Sequence, residues 1–235
     1  MDTLQQQKLE AMKELAYGAS HEINNPLANI ATRAQNLLRD EEHPERRRAL
    51  EAIYRQAMRA HEMISDLMLF ARPPRLEVVS FDLRHLLESL ADDLADECEG
   101  RNICLSVEVP ATSVECLGDR NQLHVAVKAL VDNAIEAIGQ DGTVEISLRQ
   151  PAALPATQSV QIAVTDTGPG ISEEARDRLF DPFYSGRESG RGLGFGLSKC
   201  WRIVTDHGGT VDVENGAKAG TVFTLGLPMS GSVEA

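Results

Sequence analysis

Between Leu4 and about Ala71, apolar residues recur every three or four positions, with almost no glycine and only Pro26 and Pro44 as breaks. Met12, Ala16, Ala19, Ile23, Pro26, Ile30, Arg33 and Leu37 step by alternating fours and threes. "DEEHPE", residues 40 to 45, is a polar turn, after which Leu50, Ile53, Ala57, Ala60, Ile64, Leu67 and Ala71 resume the same spacing. Heptad-like stripes on two segments joined by a short turn predict an antiparallel helical hairpin over residues 1–71. One hairpin hides only a thin seam. Two hairpins packed as a four-helix bundle hide the rest, which predicts a homodimer.

"RPPRLEVVS", residues 72 to 80, ends the second helix, because two prolines cannot continue it. It reads as a linker, with a hinge over Arg72 to Arg75. The pattern then changes over residues 81–228. Asp82 to about Glu97 and Asp119 to Ile138 have helical spacing, the latter set between Gly118 and Gly139. Ile103 to Val109, Val144 to Leu148 and Val160 to Thr165 read as strands. Leu193 to Asp206 reads as a helix opened by glycines, and Thr210 to Glu214 with Thr221 to Leu227 as a closing strand pair. Interspersed strands and helices predict a two-layer α/β sandwich. The whole chain is thus α+β: a helical hairpin followed by a sandwich domain. The long Gly168 to Gly192 connection has the length of an active-site lid. The tail, residues 229–235, reads as disordered.

A net charge of −13 on 235 residues argues against nucleic acid and anionic lipid as partners. No apolar run approaches a membrane span, and no signal peptide precedes the helix, so no membrane contact is expected from this segment. Helix begins almost at once, as in a piece trimmed from a longer chain. Cys98, Cys104, Cys116 and Cys200 lack metal-ligand spacing and read as reduced thiols of a cytoplasmic protein.

"ASHEINNPLANI", Ala19 to Ile30, sets a titratable ring and two amides inside an apolar-periodic helix. At about 100° per residue, His21 lies roughly 200° from both Ala19 and Ile23. It therefore faces away from the seam. Asn25, four residues on, shares its face. The flexible Glu22 carboxylate can hold one ring N–H and leave the other nitrogen nucleophilic. His43, His61, His85, His124 and His207 lack such neighbours and read as structural or solvent-facing.

Three further motifs carry chemistry. "LVDNAIEAI", residues 130 to 138, places Asn133 among apolar residues of an amphipathic helix. "DTGPG", residues 166 to 170, ends an apolar strand. There Asp166 can accept a hydrogen bond from an exocyclic amine, while Gly168 and Gly170 let the backbone approach a ligand. "GRGLGFGLS", residues 190 to 198, sets glycines directly before a helix, where exposed N–H groups cradle phosphate. Singly each is weak; in this order they are specific.

With "SHEINNPL", "LFDPFYS" and "AGTVFTLGLP", these motifs resemble the conserved boxes of bacterial two-component sensor histidine kinases, in the manner of the nitrogen-regulation and dicarboxylate-sensing kinases. The resemblance implies a dimerisation and phosphoacceptor hairpin and an ATP-binding domain of the gyrase and MutL superfamily. It implies His21 as phosphoacceptor, Glu22 as its general base, and Asn25 as the amide that positions water for dephosphorylating the partner. Asn133 would ligate Mg²⁺ on ATP, and Asp166 would read adenine. Gly168 and Gly170 would hinge a lid packed by Phe180 and Phe183. Gly192 and Gly194 would contact phosphate, and Thr221 would line the nucleotide site. The implied partner is the receiver aspartate of a response regulator.

Departures from the family pattern are Ala129, where hydrolytic relatives carry an acid, Glu136 in place of a basic residue, and Arg191 in the last glycine box. Phosphate neutralisation then falls to Lys128, Arg187, Arg191 or Lys199, with Arg187 favoured. The alternative readings are a dimeric nucleotide-binding scaffold without kinase activity, a gyrase- or chaperone-type ATPase, and an anti-sigma serine kinase. The last two lack the phosphoacceptor hairpin.

Overall fold

The computed structural model describes residues 22–71, 74–150, 160–181, 184, 194–216 and 219–228. His21, the early seam positions Met12, Ala16 and Ala19, Arg72 and Pro73 of the hinge, Phe183, Arg187, Arg191, Gly192 and the 229–235 tail lie outside them. The chain divides into two compact units, with the main boundary between Pro74 and Arg75 and with Gly194 and Phe195 grouped with the first unit.

The first unit is the helical hairpin. Helix α1 covers residues 22–39, and α2 runs Pro44–Ala71. Pro44 opens α2, where its missing N–H is one of the helix's orphan donors in any case, and Glu45 follows in the positive first turn. Arg47 closes the turn. Its Nη1 donates to the Leu38 carbonyl at 3.3 Å and to the Glu41 carbonyl at 3.5 Å. The Leu38 carbonyl is one that the end of α1 leaves unpaired, and the Glu41 carbonyl belongs to the turn.

The covered stripe of α1 is not the one the sequence predicts. Asn24, Leu27, Ala31, Ala34 and Leu38, spaced three, four, three, four, are the least exposed positions of the helix. Ala57 on α2 is buried with Ala31 and Ala34. The expected seam residues Ile23, Ile30 and Leu37 sit one position away and are 40%, 45% and 61% exposed, and Ile53 on α2 is 48% exposed. A heptad pattern is shared by adjacent stripes, so periodicity alone cannot say which stripe one chain covers and which it leaves open.

The second unit is the sandwich. Its sheet has the order β2-β4-β5-β7-β6, with β2 Ile103–Glu108, β4 Gly142–Arg149, β5 Val160–Asp166, β6 Thr210–Asn215 and β7 Thr221–Leu227. Only β2 and β4 run parallel; the other pairs are antiparallel. Helices α3 (Leu83–Gly100), α4 (Arg120–Ile138) and α6 (Gly196–Asp206) form the second layer, and the short α5 (Glu173–Arg176) is tied to edge strand β6 through Arg176. The core is the inward side of β4, β5 and β7 against these helices, with Leu87, Leu90, Leu123, Leu130, Ile146, Ile162, Ile203, Phe223 and Leu225 all fully buried.

Two short strands were not foreseen. β1 (Val79–Asp82) and β3 (Glu115–Gly118) pair antiparallel as a ribbon. β1 lies partly within the segment read as a linker. The Glu77 N–H just before it donates to Asp119 Oδ2 at 3.0 Å, so the sandwich begins its bonding before residue 81. Asp82 and Asp119 cap α3 and α4. Asp82 accepts from the Arg84 N–H, and Asp119 from those of Asn121 and Gln122. α6 starts three residues later than predicted, because Gly194 has φ +71, a left-handed conformation that a right-handed helix cannot include. All four cysteines are free. Burial pushes the Cys116 thiol up to about 11 and the Cys200 thiol up to about 12, which leaves both unreactive at neutral pH.

Candidate nucleotide site and phosphoacceptor hairpin

The inward rows of β5 and β7 each end in a polar residue. On β5 the buried series is Val160, Ile162, Val164 and Asp166; on β7 it is Thr221, Phe223, Leu225 and Leu227. Successive side chains of a strand alternate faces, so Asp166 and Thr221 occupy the same layer as the core leucines and valines. Thr165 pairs with Val222, which brings Asp166 and Thr221 side by side at the end of the sheet.

Asp166 is 2% exposed. Burial pushes its carboxyl above the ordinary value, and hydrogen bonds from the Gly168 N–H and from the backbone and hydroxyl of Thr221 oppose that rise. The Gly168 N–H reaches Asp166 Oδ1 at 2.7 Å. The turn requires glycine here, since a Cβ on Gly168 would stand 2.8 Å from that same oxygen and 3.3 Å from the Cβ of Ala137. Gly220, at φ +83, lies closer still: a Cβ there would overlap the Asp166 carbonyl.

The Ala137 contact places α4 against this turn. Asn133 precedes Ala137 by one helical turn on the same face and is half-buried. Ala129, a further turn back, is buried and carries no acid. Lys128 does not point a free ammonium anywhere. It is bound to Asp132, with Nζ 2.7 and 2.8 Å from the two carboxylate oxygens. Phe180 is half-buried in the turn after α5, and Gly194 precedes α6. No group of three His, Cys, Asp or Glu side chains that could hold a metal ion occurs among the described residues.

Glu22 and Asn25 are exposed on α1. Asn24 Oδ1 and His61 Nδ1, in the hairpin's covered surface, have no hydrogen-bond partner among the described residues.

Two residues have partners that the sequence does not indicate. His207, read as structural or solvent-facing, is structural and buried. Its Nε2 accepts the Asp119 N–H at 3.0 Å while Nδ1 meets the Ile203 carbonyl at 2.8 Å, which assigns the Nδ1–H tautomer. Asn215, at the end of edge strand β6, bonds both backbone groups of Ile171, just past the glycine turn. No local pattern marks either residue, because each partner is distant in sequence.

Residues 11–75 match the His Kinase A (phospho-acceptor) domain. Residues 118–231 match the histidine kinase-, DNA gyrase B- and HSP90-like ATPase family. The C4-dicarboxylate transport sensor protein DctB of Rhizobium meliloti (strain 1021) is 31% identical over 231 residues, 96% of this chain and 36% of that protein. The nucleotide-free catalytic domain of histidine kinase ThkA is 31% identical with a TM-score of 0.58, over 65% of this chain and 96% of that one. ThkA in complex with response regulator protein TrrA is similar over 96% of this chain and 64% of that one, at 26% identity and a TM-score of 0.69. The chain spans 36% to 50% of the length of the curated relatives it matches. No described helix is long and apolar enough to cross a membrane. With both of its domains matched in order and a solved kinase catalytic domain covered almost end to end, this chain belongs to the histidine kinases.

Proposed function

We propose that this segment binds ATP in the sandwich, phosphorylates His21, and passes the phosphoryl group to an aspartate of a response regulator. One observation carries the reading. A single chain joins a phosphoacceptor-type hairpin containing His21 to an ATPase-type domain whose buried Asp166 stands at a strand end, held by Gly168 and Thr221.

The donor set fits the nucleotide. A buried carboxylate needs hydrogen-bond donors, and the exocyclic amine of adenine supplies one. The site also fits a metal that arrives with its substrate. Mg²⁺ is commonly held by one or two protein ligands plus phosphate oxygens, and Asn133 is the protein ligand assigned here. Held there, Mg²⁺ would neutralise charge on the phosphates. Gly192 and Gly194 supply phosphate contacts ahead of α6, Phe180 packs over the site, and Arg187 is the favoured additional cation.

In the transfer, a ring nitrogen of His21 forms a bond to the γ-phosphorus as the bond to the bridging oxygen breaks and ADP leaves. Glu22 takes the ring proton. Positioning and charge neutralisation supply most of the acceleration. The N–P product then gives its phosphoryl group to the regulator's aspartate, and Asn25 orients water for the separate hydrolysis of that aspartyl phosphate, which releases inorganic phosphate. The complex of ThkA with TrrA supports a regulator as the partner. The exposed row Ile23, Ile30, Leu37 and Ile53 supports a homodimer. Incubation with labelled ATP tests the reading. Label on the protein that is acid-labile and alkali-stable supports a histidine kinase; ATP binding without label supports the scaffold alternative.

A further inference from the structure

We propose that Asn215 is a positioning residue for the nucleotide site, clamping the turn that follows Asp166 so that Gly168 to Ile171 forms a fixed wall rather than a hinge. The inference rests on the functional reading above and extends it to a residue outside the recognised motifs.

β6 is an edge strand among the described residues, so one side of its backbone has no strand partner among them. At its last residue the Asn215 amide takes the place of a neighbouring peptide. Oδ1 accepts the Ile171 N–H at 2.7 Å, and Nδ2 donates to the Ile171 carbonyl at 2.9 Å. The two bonds fix the amide's orientation, since the reverse arrangement would set N–H against N–H and oxygen against oxygen. Two residues back on the same strand, the Val213 carbonyl accepts Arg176 Nη2 at 2.7 Å. The chain from Ile171 to Arg176 is thus fastened to the sheet edge at both ends, and Ser172 caps α5 between them.

The clamp lies directly against the turn. Gly170 has φ +79, and a Cβ there would stand 3.1 Å from Asn215 Oδ1 and 3.3 Å from the Gly220 carbonyl. Asn215 itself pairs with Thr221, the residue that bonds Asp166. The Asp166 carboxylate is therefore held from one side by Gly168 and Thr221. The far end of the same turn is held by Asn215. Glycines that a sequence reading takes for a hinge are pinned at Ile171, and any larger motion of the segment begins beyond Arg176.

Asn215→Asp keeps the shape of the side chain and the acceptor for the Ile171 N–H, but it sets an oxygen against the Ile171 carbonyl. Asn215→Ala removes both bonds. Two measurements on the full 235-residue chain test the clamp. In nucleotide-free protein, hydrogen exchange at the Ile171 amide should accelerate about tenfold or more in Asn215→Ala. Direct titration with ATP and Mg²⁺ should show Kd weakened roughly tenfold in both variants, with the autophosphorylation rate at saturating ATP within about twofold of the parent. Unchanged exchange at Ile171 overturns the clamp. Faster exchange with unchanged ATP affinity overturns its positioning role. So does an Asn215→Asp variant equal to the parent in both measurements, because shape alone would then suffice. Failure of the parent chain to bind ATP instead overturns the functional reading, and the exchange measurement still decides whether the clamp exists.

Discussion

Asp166 Oδ1 and the Gly168 N–H stand 2.7 Å apart, and that contact makes the polar end of an apolar strand into a recognition group. The carboxylate keeps the inward direction of Val160, Ile162 and Val164, and so reaches the interior. Burial raises its pKa from the ordinary 3.8, against the hydrogen bonds from Gly168 and Thr221. A carboxyl raised on folding opposes the folded state increasingly as pH climbs from that ordinary value through the raised one.

Asp166→Asn should therefore separate stability from recognition. The amide oxygen still accepts the Gly168 N–H, but an N–H₂ group replaces the oxygen that an adenine amine needs. ATP affinity should fall roughly 10- to 100-fold, the equivalent of about 1.5–3 kcal/mol for a hydrogen bond to a charged group. The melting temperature of the nucleotide-free protein at pH 7 should be no lower than the parent's. Calorimetric titration and thermal melts check both parts, and unchanged affinity contradicts adenine reading by Asp166.

The Asp119 and His207 pair should govern the acid edge of the sandwich. Burial pushes the Asp119 carboxyl up, but the N–H groups of Gln122, Glu77 and Asn121 together hold it below 3.8. A lowered carboxyl stabilises the fold above its ordinary pKa, and that stability is lost as pH falls through the lowered value. Asp119→Ala should flatten the loss of stability below about pH 4. His207→Ala strands the Asp119 N–H and should cost about 1–3 kcal/mol at neutral pH. Denaturant melts across pH read both effects.

The open stripe of the hairpin should be the dimer seam. Burying an isoleucine contributes about 1.5–3 kcal/mol, and a two-fold assembly loses that contribution twice. Ile53→Asp or Ile30→Asp should shift the chain toward monomer at micromolar concentration while helical content is kept. Sedimentation equilibrium checks this, and an unchanged dimer would place the interface elsewhere.

The legible parts of the fold were those with local punctuation. α4 was found nearly to the residue because Gly118 and Gly139 bracket it, and β6 and β7 because a Gly-rich turn separates them. β1 and β3 span four residues each and gain their structure only by pairing with each other, so no periodicity announced them. Asp166, Gly168 and Gly170 were recognisable from their motif. Asn215 was not, because Ile171 lies 44 residues away and only the sheet brings the two together. The α1 stripe was misplaced by one position because a heptad repeat serves two neighbouring faces equally, whereas on α2 the expected Leu50, Ala57, Ala60 and Ile64 are covered.

The account turns on His21 receiving phosphate from ATP bound at the Asp166 site. Peptide mapping of the chain after incubation with ATP and Mg²⁺, carried out at alkaline pH to preserve N–P bonds, tests this most directly. The account predicts a single phosphorylated residue, His21, and, at ATP concentrations near the parent's Kd, labelling of the Asp166→Asn variant reduced in proportion to its weaker ATP affinity. Phosphate on a serine or on another histidine, or labelling of Asp166→Asn equal to the parent's at those concentrations, would contradict it.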